Sequence, residues 1–310
     1  MKPILFASLL LFACGGSSKN APPPTSPTPA AEATATAPPP AEPAPPPAPP
    51  PPPAVVIPPY TPAADVPEPV RAAVTAPDRS DADRALDAGR KPAEVLAFFK
   101  IAPGQQVGEL FSGGGYTTEV IARVVGDNGK VYAQNTKEIL DRIARKPLTE
   151  RLAKPVMKNT VMLEQPSETP FPPEVKNLDA VICVLNYHDL VWQNVDRAKM
   201  NAAVFAALKP GGVYAIVDHS AAKGSGLRDV QTLHRIDEDA VKQEITAAGF
   251  KLDAESDVLR NPEDPRDWNP SPRAAAERRG TSDRFTLRFV KPAKGGKPAK
   301  PAKPAKAGKK

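Results

Sequence analysis

Val107 to Tyr116 reads Val-Gly-Glu-Leu-Phe-Ser-Gly-Gly-Gly-Tyr, and this stretch narrows the choice of fold more than any other. A short apolar strand carrying the acid Glu109 runs into a cluster of three glycines. A helix is predicted at once after it, because Val120, Ile121, Val124 and Val125 recur at helical spacing. Gly126 to Gly129 then breaks the chain, and Val131-Tyr132-Ala133 reads as a second strand. Strand, glycine turn, helix and strand form one βαβ unit. Glycines there allow close approach to the backbone, and the helix start offers unpaired N–H groups. In doubly wound α/β folds this turn is a usual place for a nucleotide-like cofactor.

The spacing departs from the dinucleotide fingerprint Gly-x-Gly-x-x-Gly. Glu109 with Gly113 and Gly115 instead resembles motif I of the class I S-adenosylmethionine-dependent methyltransferases. Phe111 stands where that family usually has its first glycine, and Glu109 replaces its aspartate. Later landmarks fall in the family's order. Pro170-Phe171 precedes the apolar run Leu178 to Leu185, which matches a fourth strand buried on both faces. Leu208-Lys209-Pro210-Gly211-Gly212 matches the turn that ends a helix near Lys199 to Ala207 and leads into a fifth strand, Val213 to Val217. Phe250 to Val258 and Arg284 to Val290 match the closing pair of strands. The resemblance spans roughly residues 90–290, a normal size for one domain. It implies a Rossmann-like, doubly wound seven-stranded sheet, mostly parallel with an antiparallel terminal strand and helices on both faces.

The resemblance also implies a site. S-adenosylmethionine would cross the carboxyl ends of the strands, with Phe111 and Gly113, Gly114 and Gly115 beneath its methionine part and Glu109 toward its amino group. Asn135 takes the place of the acid that accepts from the ribose hydroxyls, and an amide lacks a carboxylate's charge-assisted strength. Glu164 and Gln165 fall where the family contacts adenine. Asn186-Tyr187-His188-Asp189, after the fourth strand, would lie beside the methyl group. Asn186 is assigned to the cofactor and Tyr187, His188 and Asp189 to catalysis, with His188 as a base or an acceptor-orienting group. The segment is not the Asp/Asn-Pro-Pro-Tyr of enzymes that methylate base amino groups. The implied activity is methyl transfer to a small-molecule or envelope acceptor. The competing reading is a tethered, non-catalytic binding protein that keeps the fold.

All three histidines, His188, His219 and His234, follow Asn186. With Asp189 and Asp218 they resemble the makings of a divalent cation site, but their spacing matches no established ligand motif and no metal is expected. Arg228 and Arg235 offer cations for an anionic substrate group. The loop Asn261 to Ser282, with Trp268, is long enough to cover a substrate mouth. A helix over Asp78 to Arg90 is a candidate lid element. Cys183 falls inside the fourth strand and is expected to be an inert core thiol.

The two ends of the chain follow a different logic. Met1-Lys2, an apolar run from Ile4 to Phe12 and then Ala13-Cys14 read as a secretory signal over 1–13. Leu11-Phe12-Ala13-Cys14 resembles the bacterial lipobox, so Cys14 is the expected lipidation site. Each buried acyl methylene would add about 0.8 kcal/mol of membrane affinity. Residues 14–64 are rich in Pro and Ala and read as an extended tether, followed by a folded domain over 65–290. The tail, 291–310, holds eight lysines and no acid, against a net charge of +6 for the whole chain. The rest is therefore slightly acidic, which disfavours nucleic-acid binding, while the tail suits loose contact with anionic envelope polymers. The expected location is the cell envelope, lipid-anchored and facing the periplasm.

Overall fold

The computed structural model describes residues 60–293, so the expected signal, Cys14 with its lipidation, most of the tether and nearly all of the lysine tail lie outside the described residues. Seven strands form one sheet: β1 (Gln106–Leu110), β2 (Lys130–Asn135), β3 (Thr160–Glu164), β4 (Leu178–Val184), β5 (Leu208–His219), β6 (Lys251–Ser256) and β7 (Arg284–Val290). Their order is β3-β2-β1-β4-β5-β7-β6. β1 to β5 pair in parallel, and β7 runs antiparallel between β5 and β6. The order reverses between β1 and β4, and such a switch point opens a crevice at the carboxyl ends of the strands.

Among the described residues ten α-helices accompany the sheet: α1 (Glu68–Thr75), α2 (Asp81–Arg90), α3 (Pro92–Phe98), α4 (Tyr116–Val125), α5 (Lys137–Ile139), α6 (Arg145–Leu152), α7 (Asp189–Trp192), α8 (Arg197–Ala207), α9 (Val230–Leu233) and α10 (Glu238–Ala247). Side chains alternate across a strand, so β4 serves two cores. Ala180 and Ile182 face a cluster with Val70 and Val74 of α1, Leu96 of α3 and Val120, Ile121 and Val124 of α4. Val181 and Cys183 face the other, with Met200 and Val204 of α8, Val241 and Ile245 of α10, and Phe285, Leu287 and Phe289 of β7. Cys183 is fully buried and free, and burial pushes its thiol far from ionising.

The expected turn Leu208 to Gly212 is drawn into β5. Leu208 pairs with Leu178, pairing resumes at Val213 with Ala180, and the intervening residues bulge. Tyr60 and Lys291, just beyond the expected limits 65–290, also pack in. The Tyr60 hydroxyl donates to Glu94 at 2.6 Å, and Lys291 Nζ donates to the Phe205 and Leu208 carbonyls. Among the described residues no helix is long and apolar enough to cross a membrane.

Candidate cofactor and acceptor site

The glycine turn sits where β1 meets α4 and is braced from three sides. Gly115, with φ 83°, precedes α4, and the turn carbonyl of Gly114 accepts from Arg151 Nε of α6 at 2.8 Å. Arg151 also pairs with Asp83 of α2 and Glu119 of α4, so one guanidinium joins three helices to the turn. The third brace is the end of β2. Asn135 Oδ1 accepts the Gly113 N–H at 2.9 Å, and its Nδ2 donates to Ser112 Oγ at 2.8 Å. Gln134 Oε1 accepts the Phe111 N–H at 3.1 Å, and its Nε2 donates to the Gln165 carbonyl at 2.8 Å. Asn135 is wholly buried and its amide is spent on the turn, which corrects the expectation of a side chain aimed at a ribose. Gln165 is half-buried at the neighbouring end of β3.

Gly113, with φ 55°, faces open space: a Cβ built on it meets nothing within 4 Å. Phe111 adopts φ 54°, in the left-handed region that favours glycine. Beside the turn, Glu109 is buried, and burial pushes its carboxyl up to about 7, although the Thr118 and Thr117 hydroxyls and the charges of Arg90 and Arg151 act the other way. Thr118 Oγ1 donates to Glu109 Oε2. Arg90, at the end of α2, lies 4.3 Å over the Tyr116 ring. Burial lowers its pKa, while Glu109 is among the charges that raise it. Among the described residues neither group has an ion-pair partner. Arg90 could not be assigned from sequence spacing, because only the placement of α2 beside the start of α4 brings it over Tyr116.

The second half of the site lies past β4 and β5. Asn186 is half-buried and donates from Nδ2 to the Val184 carbonyl. Tyr187 does not belong to the site. Its ring is fully buried in the core, and its hydroxyl donates to Glu244 at 2.8 Å and accepts from Asn201 at 2.8 Å. Its partners lie on α8 and α10 rather than beside His188, and burial raises its pKa well above the usual phenol value.

His188 is buried with its Nδ1 2.7 Å from Asp218 Oδ1, while Asp218 Oδ2 accepts the His188 backbone N–H at 2.8 Å. His188 Nε2 lies 3.1 Å from Asp189 Oδ1 and 3.3 Å from His234 Nδ1. Burial opposes a charge on this imidazole, but Asp218 and Asp189 outweigh it and raise its pKa to about 10. Burial alone would raise Asp189, yet His188, His234 and Trp192 hold its carboxyl well below the usual range. His219 is the contrasting imidazole. Burial, then the charge of His188, keeps it neutral, and its Nδ1 lies 2.8 Å from Ser282 Oγ.

The two arginines expected to hold an anion are both occupied. Arg235 is fully buried, pairs with Asp264 at 2.8 Å and donates to the Ser220 and Trp268 carbonyls. Arg228 is exposed and pairs with its neighbour Asp229.

A class I methyltransferase fold is defined by this strand order, with a glycine turn and a buried acid at the carboxyl end of β1. The sequence profile of the protein-L-isoaspartate(D-aspartate) O-methyltransferases matches residues 72–163, from α1 through β3. That stretch holds the glycine turn and excludes His188, Asp218 and His234. A comparison with curated proteins returns no match. Among solved structures, an S-adenosylmethionine-dependent methyltransferase from Aquifex aeolicus is 19% identical, with 68% of this chain and 95% of that one covered and a TM-score of 0.49. An S-adenosylmethionine-dependent O-methyltransferase from Thermotoga maritima is 18% identical, with 67% of each chain covered and a TM-score of 0.44. The [4+2]-cyclase SpnF is 16% identical, with 70% of this chain and 85% of that one covered and a TM-score of 0.49. No substrate follows from any of these likenesses.

Proposed function

We propose that this chain binds S-adenosylmethionine at the glycine turn and transfers its methyl group to a small-molecule or envelope acceptor held over His188 and Asp189. The observation that carries the reading is an unmatched pair of opposite charges beside open backbone. Among the described residues neither Glu109 nor Arg90 has an ion-pair partner, each feels the other's charge, and the turn that follows the strand of Glu109 opens onto free space at Gly113. Such a pair suits the ammonium and carboxylate of an α-amino acid, which is what the methionine part of the cofactor presents. When bound, the cofactor would supply an electrophilic methyl on a sulfonium. The residues of the chain then have to place an acceptor in line with that methyl and keep water out.

His188, fixed on one side by Asp218, and Asp189, at the start of α7, would orient the acceptor. Neutral His219 lies behind them, its ring centre 5.7 Å from that of His188. The match to the isoaspartate O-methyltransferases covers the cofactor half only, so it supports the donor and leaves the acceptor open. A second reading, an envelope-anchored binding protein that retains the fold without the reaction, is favoured by Asn135. Its amide already serves the turn, and no carboxylate replaces it at the end of β2.

Thermal denaturation of the full chain with and without millimolar S-adenosylmethionine tests the proposal. The ligand should raise the melting temperature of the wild type, since a ligand that binds only the folded state stabilises it by mass action. Gly113→Asp, which places bulk and negative charge in the open space, should abolish that rise. An equal rise in both proteins would put the ligand elsewhere.

A further inference from the structure

Three potential ligand atoms converge at the mouth of the acceptor region. His188 Nε2 and His234 Nδ1 are each 3.1 Å from Asp189 Oδ1, and 3.3 Å from each other. Around an ion with bonds of about 2.1 Å, adjacent ligand atoms lie about 3.0 Å apart in an octahedral set and about 3.4 Å apart in a tetrahedral one. The observed triangle falls between those values. We propose that His188, Asp189 and His234 form a binding site for a divalent first-row transition-metal cation, with Asp218 as the outer partner that aims His188.

The supporting structure is of the kind a metal site needs. A ligating histidine usually donates its second ring N–H to a carboxylate, which fixes the tautomer and leaves the other nitrogen free. Asp218 does this for His188: it is fully buried, at the end of β5, and is itself held by the backbone N–H groups of His188 and His219. Trp192 Nε1 donates to Asp189 Oδ1 at 2.9 Å and fixes that carboxylate from the exposed side. His234 is presented at a backbone cost. It ends α9 with φ 46° and ψ 47°, a left-handed conformation unusual for a residue with a side chain.

Burial sets the geometry of access. The His188 side chain is 4% exposed, whereas Asp189 and His234 are 24% and 26% exposed. An ion can enter from the Asp189 and His234 side and keep open positions there for water or an oxygen donor. Two imidazoles and one carboxylate suit zinc, iron(II) or cobalt(II), while magnesium and calcium prefer all-oxygen sets. His219 is not a ligand, since its Nδ1 is turned to Ser282. In the sequence these residues match no established ligand spacing, because His188 and His234 are 46 residues apart and meet only when α7 and α9 pack. Ion binding does not depend on the methyl-transfer reading.

Calorimetric titration of the full chain, made without a polyhistidine tag and stripped with chelator, tests the site with zinc chloride as the probe. One zinc per chain is expected, undisturbed by millimolar magnesium. His234→Ala and Asp189→Asn alter half-exposed side chains and should each weaken zinc by more than tenfold, with far-UV circular dichroism unchanged. Asp218→Asn should weaken it by about 10–100-fold. Cobalt(II) substitution should give a visible absorption band that His234→Ala removes. Absence of zinc binding at about 100 μM, well above the working range of such sites, or binding that folded His234→Ala and Asp189→Asn retain in full, would overturn the proposal.

Discussion

Glu109 places opposite pH demands on the protein and on its proposed ligand. Its carboxyl is pushed up to about 7 by burial, from an ordinary value of 4.5. The folded state therefore prefers the protonated form. The stability this contributes is fully present below pH about 4.5 and is lost as pH rises through about 7. A shift of this size corresponds to something on the order of 3 kcal/mol. Urea denaturation should show the ligand-free wild type losing stability between pH 5 and 8, with Glu109→Gln largely free of that loss. Binding of the cofactor ammonium needs the carboxylate, so affinity should run the other way, improving up to about pH 7 and then levelling off. A Glu109→Gln protein with the wild-type pH dependence of stability would remove Glu109 from this role. Residue identity at the turn was legible in the sequence: Glu109 and Gly113 lie where the motif placed them. Tyr187 was not, because the direction of a side chain past β4 depends on the chain turn and not on its neighbours in sequence.

At the level of elements, the long segment between β6 and β7 is fixed by charge. Asp264 accepts from Arg235 Nη1 and Trp268 Nε1 and from the Asp283 backbone N–H, and Arg278 lies 4.0 Å over the Trp268 ring. Ser282, at the end of the segment, reaches His219. The segment thus closes beside His219, and it is held there by a buried guanidinium. Arg235 and Asp264 side chains are 0% and 1% exposed, so removing one partner leaves the other charge buried and unpaired. Asp264→Ala should cost about 3–5 kcal/mol in chemical denaturation. A loss below 1 kcal/mol would show that the pair does not hold the segment. The helix after the glycine turn and the apolar fourth strand were readable from the spacing and run of apolar residues. This pinning was not, because an arginine 29 residues from its aspartate carries no periodic signal.

Over the whole molecule, the seven-stranded, mostly parallel sheet with an antiparallel terminal strand is what the sequence resemblance anticipated best. Glycine turn, apolar fourth strand and Pro-Gly-Gly bulge each mark one parallel strand, and the closing antiparallel pair follows from the last two apolar runs. Boundaries were less legible. Tyr60 and Lys291 join the fold through long-range hydrogen bonds, which composition does not reveal. The proposed acceptor region gathers His188 with Asp189, Asp218 and His234 from three places in the chain, and only the packing of α7 and α9 beside β5 unites them.

The most direct test of the account is calorimetric titration of the purified full chain with S-adenosylmethionine and with its demethylated product. Saturable binding of both, with one site per chain, is the predicted result. No heat of binding from either ligand at millimolar concentration, in protein shown to be folded, would contradict the reading of the glycine turn as a cofactor cradle.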